Sequence, residues 1–218
     1  METVIPKTLE ETDFFKKHGN LVEFFDSCCQ EHNGKMAFES FGVEMSYEDL
    51  SEKVNAFASW LTNNFQAGDR IAVMMPNMLA YPVIVYGALK AGIVVVNINP
   101  LYTQRELEHV LKDSETKVLV VWEGVANVVE KSNLANVETV MTTTVGDLLG
   151  FKGKIINFVA RKVKKLVPKF NIDGALMFDK VLSDNSGATP VKVDISINST
   201  AFLQYTGGTT GVSKGAVL

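Results

Sequence analysis

Residues 71–96 read IAVMMPNMLAYPVIVYGALKAGIVVV, the most apolar stretch of the chain. Its length approaches the roughly 20 apolar residues that a membrane-spanning helix needs. Pro76, Asn77, Pro82 and Lys90 interrupt it, however, and divide it into three elements. IAVMM reads as a strand, Pro82–Ala91 as a helix, and IVVVNI as a second strand. Both strands are continuous runs rich in β-branched residues, with no polar alternation. That pattern belongs to strands covered on both faces, as in a parallel sheet.

The same alternation continues outward. Downstream, Asn99-Pro100 breaks the chain, and Thr103-Gln104-Arg105-Glu106 has the form of a capping box opening a helix to about Asp113. KVLVVW (117–122) reads as a third buried strand, 124–132 as a helix, and VETVMTT (137–143) as a fourth strand. Upstream, residues 20–33 predict a helix with Phe24, Phe25 and Cys28 on one side. MAFESFGVEMSY (36–47) predicts two short strands around Gly42. Ser46, with Asp49 three residues on, caps a helix running to about Asn64, in which Leu50, Val54, Phe57, Ala58 and Leu61 share a face. Gly68-Asp69 then turns the chain into the Ile71 strand. The expected fold is α/β, a mainly parallel sheet flanked by helices. The polar, turn-rich segment 183–200 is expected to be a loop or subdomain boundary.

Composition narrows the class. Of 218 residues, 46% are apolar and 21% charged, which excludes collagen-like, mucin-like and wholly disordered chains and fits one large domain or one and a fraction. A net charge of −4 gives no reason to propose nucleic-acid binding. Cys28 and Cys29 are adjacent, a strained geometry for a disulfide, so two reduced thiols are expected. His18, His32 and His109 lack partners at metal-ligand spacing, and no metal site is expected. The N-terminal residues contain no apolar leader core, so a cytoplasmic location is expected rather than secretion.

Residues 152–169 carry seven basic side chains and no acidic one, leaving 14 basic against 25 acidic residues elsewhere. On a helical wheel, Ile155, Ile156, Val159, Val163, Leu166 and Val167 fall on one side, and Arg161, Lys162, Lys164 and Lys165 on the other, with Pro168 as the stop. Two readings stand. One is a surface helix packing its apolar side on its own core. The other is contact with an anionic membrane surface through those four cations.

The most informative segment is AFLQYTGGTTGVSKGAVL (201–218). An apolar strand enters Thr206-Gly207-Gly208-Thr209-Thr210-Gly211, and Lys214 follows before another apolar run. Glycines let backbone N–H groups form a concave nest for anions, threonine hydroxyls add donors, and a lysine adds a point charge. The set suits a pyrophosphate or triphosphate. A Walker loop requires glycine directly before the lysine, where Ser213 stands. Gly211-Val212-Ser213-Lys214-Gly215 fits the spelling of a nucleophile elbow. That elbow needs a strand–turn–helix and a downstream histidine, whereas KGAVL reads as a strand and no histidine follows.

LQYTGGTTGVSKG resembles the phosphate-loop signature of the acyl-adenylate-forming superfamily, which includes acyl-CoA synthetases, peptide-synthetase adenylation domains and luciferases. SYEDLSEKVNAFASWL, GDRIAVMMPN, AGIVVVNINPLYTQRELEHVLKDSETKVLVV and KKLVPKF are similar to the corresponding segments of bacterial long-chain fatty-acid–CoA ligases. Together these cover most of residues 40–218. Ser213 departs from the proline or alanine of many relatives. The resemblance implies an incomplete N-terminal adenylate-forming domain, part of a longer enzyme and inactive alone. Thr206, Gly207, Gly208, Thr209, Thr210, Gly211 and Lys214 would hold the β- and γ-phosphates of ATP. ATP with Mg2+, a long-chain fatty acid and coenzyme A would be the reactants, and a homodimer the assembly. The adenine, ribose, metal and catalytic-lysine positions of the superfamily match nothing in these residues. A medium-chain or aryl-CoA ligase, and a non-catalytic nucleotide-binding module, remain as alternatives.

Overall fold

The computed structural model describes residues 19–206 and 213–218. Helix α1 (Leu21–Glu31) starts at Asn20, whose side-chain oxygen accepts from the N–H groups of Val22 and Glu23. Its buried positions are Phe25 and Cys29, one turn apart; Phe24 and Cys28 are only half-buried, so the inward face lies one residue on from the expected one. Burial pushes the Cys29 thiol up to about 11, which keeps it protonated and inert.

Strands β1 (Met36–Ser40) and β2 (Val43–Ser46) form the expected antiparallel hairpin. Helix α2 (Tyr47–Asn64) follows without a linker, because Ser46 both ends the strand and caps the helix. Ser46 Oγ accepts from Asp49 N at 3.0 Å, and the Asp49 carboxylate accepts in return from Ser46 N and Oγ. The Ser46 hydroxyl thereby holds the Asp49 carboxyl below its ordinary range. Such a cap contributes about 1 kcal/mol. All five apolar positions read from the α2 sequence are buried.

The central unit is β3 (Arg70–Met74), α3 (Ala80–Lys90) and β4 (Val94–Asn97), as residues 71–96 predict. Then come α4 (Gln104–Asp113), β5 (Val118–Trp122), α5 (Ala126–Lys131), β6 (Thr139–Thr143), α6 (Gly150–Phe158), β7 (Leu176–Met177), α7 (Phe178–Asp184), β8 (Phe202–Thr206) and β9 (Lys214–Val217). The sheet order is β7-β6-β5-β3-β4-β8-β9, and every pairing is parallel except β8 with β9.

Alternate strand residues divide the core in two. Ile71, Val73, Val95, Val118, Val120 and Met141 pack with α1, α2, α3 and α7 on one face. Ala72, Met74, Val96, Leu119 and Val121 pack with Leu107, Val110 and Leu111 of α4, and with α5, on the other. Helices on both faces explain why these strands are apolar at every position. Complete burial of a valine or leucine stabilises by roughly 1.5–3 kcal/mol, so these positions dominate the fold.

Residues 185–200 contain neither helix nor strand. They return the chain from one edge of the sheet, at β7, to β8 beside β4. Five strand spacings of about 4.8 Å must be crossed, which accounts for a longer connection than most. The Asn20 side chain, donating to the Ile195 carbonyl at 2.9 Å, ties this segment to the start of α1.

The basic segment departs from a regular helix. α6 ends at Phe158 and continues as a π-turn over Val159–Val163, in which Lys164 N donates to the Val159 carbonyl at 2.8 Å, five residues back. The side that packs inward is made of small residues. Gly153 lies so close to the carbonyl of Gly146 that a Cβ there would sit 1.9 Å from that oxygen. Ala160 is buried and Ile156 half-buried beside it. Of the six apolar side chains read on one side, Ile156 packs against the core and Val167 is half-buried, whereas Ile155, Val159, Val163 and Leu166 are exposed, so the first of the two readings holds only in part.

Candidate functional site

Open parallel sheets bind ligands outside the carboxyl ends of their strands. β8 runs parallel to β4, so its carboxyl end, Thr206, lies on the same rim as Met74 and Asn97. The threonine-glycine loop leaves from this rim. Thr206 pairs with Lys214 in the β8–β9 ladder, which holds the two legs of the loop side by side. Gly207, Gly208, Thr209, Thr210 and Gly211 lie outside the described residues. Lys214 is exposed at the start of β9. A strand, not a helix, follows the loop, so the nucleophile-elbow geometry is absent.

Side chains that the sequence did not single out fix the legs. His109 on α4 places Nε2 2.8 Å from the Ser213 carbonyl oxygen. A carbonyl only accepts, so Nε2 carries the proton of that bond. The His109 ring also meets Tyr205 edge-on, with centroids 6.5 Å apart. Tyr205 donates its hydroxyl to Asp113 Oδ2 at 2.6 Å, and burial together with that carboxylate pushes the phenol well above its ordinary range. One turn of α4, from His109 to Asp113, thus grips the end of β8 and the exit of the loop. Gly215 stacks on the Tyr205 ring, where a Cβ would lie 3.1 Å from ring carbons.

A second chain of bonds ties β8 to the sheet. Tyr81 Oη donates to Asn97 Oδ1 at 2.9 Å, and the Asn97 amide donates to Gln204 Oε1 at 3.3 Å. Burial raises the Tyr81 phenol, so it stays a donor. The only sequence signal for the His109 grip is the i, i+4 pair His109/Asp113 on a helix whose neighbours Leu107, Val110 and Leu111 are core residues. Among the described residues no group of three or more His, Cys, Asp or Glu is placed to hold a metal ion, and no described carboxylate is assigned to Mg2+.

The four cations read as membrane contacts divide. Lys162, Lys164 and Lys165 are exposed, with no carboxylate partner among the described residues. Arg161 is instead bound inward. Its Nε and Nη2 lie 2.8 and 2.6 Å from Oε2 of Glu123, whose side chain is buried at the carboxyl end of β5. Arg161 therefore fastens the helix to the sheet rather than facing solvent freely.

A mainly parallel sheet of this order, with the legs of a glycine-threonine loop at its carboxyl rim, is the class of α/β domain that the sequence predicts. The model of the AMP-binding enzyme family matches residues 25–218, and the chain belongs to that family. It is 44% identical over 217 residues to the long-chain-fatty-acid–CoA ligase of Haemophilus influenzae, covering 98% of this chain and 39% of that protein. It is 43% identical over 206 residues to the enzyme of the same name from Yersinia pestis, covering 93% and 37%. The chain thus spans less than two-fifths of the length of these curated relatives. Among solved structures, the anthranilate CoA ligase AuaEII in complex with anthranoyl-AMP superposes with a TM-score of 0.74 at 19% identity, covering 92% of this chain and 34% of that one. A long-chain-fatty-acid-CoA ligase from Archaeoglobus fulgidus gives 0.67 at 24% identity, covering 92% and 37%. Both show the same α/β fold.

Proposed function

We propose that this chain supplies the triphosphate-holding part of an AMP-forming long-chain fatty-acid–CoA ligase. A carboxylate is a poor acyl donor because its oxygen leaves reluctantly. In the proposed reaction it attacks the α-phosphorus of ATP, giving acyl-AMP and releasing pyrophosphate. The thiolate of coenzyme A then attacks the acyl carbon, and AMP departs with the carboxylate oxygen. No protein nucleophile takes part. The chain's own residues contribute position and charge. Thr206, Gly207, Gly208, Thr209, Thr210 and Gly211 wrap the β- and γ-phosphates, Lys214 neutralises them, and His109 and Asp113 keep the loop's legs in place. Mg2+ enters with the triphosphate as part of the substrate.

The observation that carries this reading is the anchoring of both ends of a TGGTTGVSK loop at the carboxyl rim of a parallel sheet. The acyl class rests on the names of the relatives at 43–44% identity. A cytoplasmic location and a homodimer belong to the same proposal, and fractionation and light scattering test them.

The functional test is pyrophosphate release by the full-length polypeptide with ATP and palmitate. Lys214→Ala and Thr209→Ala should each slow adenylate formation, since losing a hydrogen bond to a charged group costs on the order of 1.5–3 kcal/mol. Unchanged release by both variants would refute the assignment. Preference for octanoate or benzoate over palmitate would keep the loop and replace the acyl class.

A further inference from the structure

We propose that α6, its π-turn and the tip of the β1–β2 hairpin form one docking face for an anionic phospholipid surface. The face stands on exposure and charge alone and does not depend on the ligase reading.

Phe151, Ile155 and Phe158 are spaced i, i+4 and i+7 along α6, a single stripe. They are 77%, 52% and 61% exposed. Val163 and Leu166 extend the apolar surface past the π-turn, at 62% and 57%. A helix that served only its own core would be arranged the other way round. Here Gly153 and Ala160 face the protein and the phenylalanines face out.

The hairpin tip adds to the stripe. Lys152 Nζ donates to the carbonyls of Phe41 and Gly42 at 3.2 and 3.3 Å, seating the tip against the first turn of α6. Phe41 is itself exposed, and it occupies the left-handed region with φ 52°, followed by Gly42 at 67°. Two successive positive φ values are those of a type I′ turn, whose first position favours asparagine, aspartate or glycine. A phenylalanine there is strained as well as exposed. Neither cost has a return inside the described fold.

Along α6 and its π-turn the exposed charge is positive, whereas the hairpin carries the exposed carboxylates Glu39 and Glu44, paired across the strands two residues before Phe41 and two after Gly42. Lys154, Lys162, Lys164 and Lys165 are exposed, and none has a carboxylate partner among the described residues. Lys165 holds a left-handed φ of 51° at the helix end, where glycine is the usual residue. Exposed apolar groups on a helix that also carries unpaired lysines match the boundary between headgroups and acyl chains, where the former enter and the latter meet lipid phosphates. The Glu123–Arg161 pair holds the helix to the body without drawing on these lysines. No described helix is long and apolar enough to cross a membrane.

The test is co-sedimentation of the full-length polypeptide with vesicles of phosphatidylethanolamine, with and without phosphatidylglycerol. Binding is expected only with phosphatidylglycerol, and it should weaken as salt is raised. Lys162→Gln, Lys164→Gln and Lys165→Gln together should weaken it on the order of a hundredfold, at roughly fivefold per lysine. Phe151→Ser with Phe158→Ser should weaken it comparably with the charges intact. Phe41→Asn suits the turn better than phenylalanine, so it should raise the thermal midpoint while lowering vesicle affinity, which separates docking from folding. Phe158→Trp should shift its emission to the blue on vesicles and be quenched by brominated lipid. Absence of binding to anionic vesicles overturns the proposal, as does binding that none of these variants alters. A lysine or phenylalanine variant that changes the protein's mass in solution would assign the face to a second copy and overturn it too. Each of these results leaves pyrophosphate release, and with it the ligase reading, to be judged separately.

Discussion

On the proposed function, removing the bond between His109 and the loop should raise the concentration of ATP that the full-length polypeptide needs, and leave its need for fatty acid alone. His109→Phe keeps a ring against Tyr205 and deletes only the Nε2–H that meets the Ser213 carbonyl at 2.8 Å. A hydrogen bond of this kind contributes about 0.5–1.5 kcal/mol net. At 1.4 kcal/mol per tenfold, the Km for ATP should rise roughly 2- to 12-fold. Ser213 is one residue before Lys214, so the loosened leg is the one that carries the proposed phosphate cation. His109→Gln restores a donor at similar reach and should recover much of the loss. The assay is pyrophosphate release with palmitate saturating and ATP varied, then the reverse. An unchanged Km for ATP in His109→Phe would refute the reasoning. So would equal rises in both Km values, which would mean that the whole domain had been disturbed.

Arg161→Met should destabilise by about 2–3 kcal/mol, short of the 3–5 seen for fully buried pairs because the arginine is half exposed. Adding Glu123→Gln should recover most of this in urea denaturation; a loss below about 0.5 kcal/mol for Arg161→Met would deny the pair its anchoring role. Asp147 supplies the pH prediction. Burial pushes its carboxyl up to about 6, against the lowering effect of bonds from Thr144. A folded pKa above the unfolded value means that the native state binds the proton more tightly, so stability should rise as pH falls from about 7 to about 5. Asp49 and Glu106, held low by their caps, lose stability only below about pH 4 and do not act in that window. Asp147→Asn should flatten the slope, measured as urea midpoints across the range, and a slope of opposite sign would contradict the assignment.

The parts of the fold legible in sequence are those set by neighbouring residues. Ser46 with Asp49 and Thr103 with Glu106 make capping boxes that depend on a spacing of three, and both are present. The β-branched runs at 71–75, 93–98 and 117–122 announce two-sided burial whatever their partners. Strand order is different in kind. That β8 lies beside β4, across the sheet from β7, follows from the path of residues 185–200 and leaves no local mark. The same applies to the site. The loop's composition spells an anion nest, but the grip of His109 on Ser213 joins residues 104 positions apart. Arg161 looks like its lysine neighbours on a helical wheel; only the placement of Glu123 at the end of β5 distinguishes it. The wheel also assumes 3.6 residues per turn throughout, and the π-turn at Val159–Val163 breaks that period.

The most direct measurement is a crystal structure of the full-length polypeptide with a non-hydrolysable ATP analogue. It should show β- and γ-phosphate oxygens within hydrogen-bonding distance of the backbone between Thr206 and Gly211, with the Lys214 ammonium beside them and His109 still on Ser213. A triphosphate bound away from residues 206–214 would contradict the account at its root.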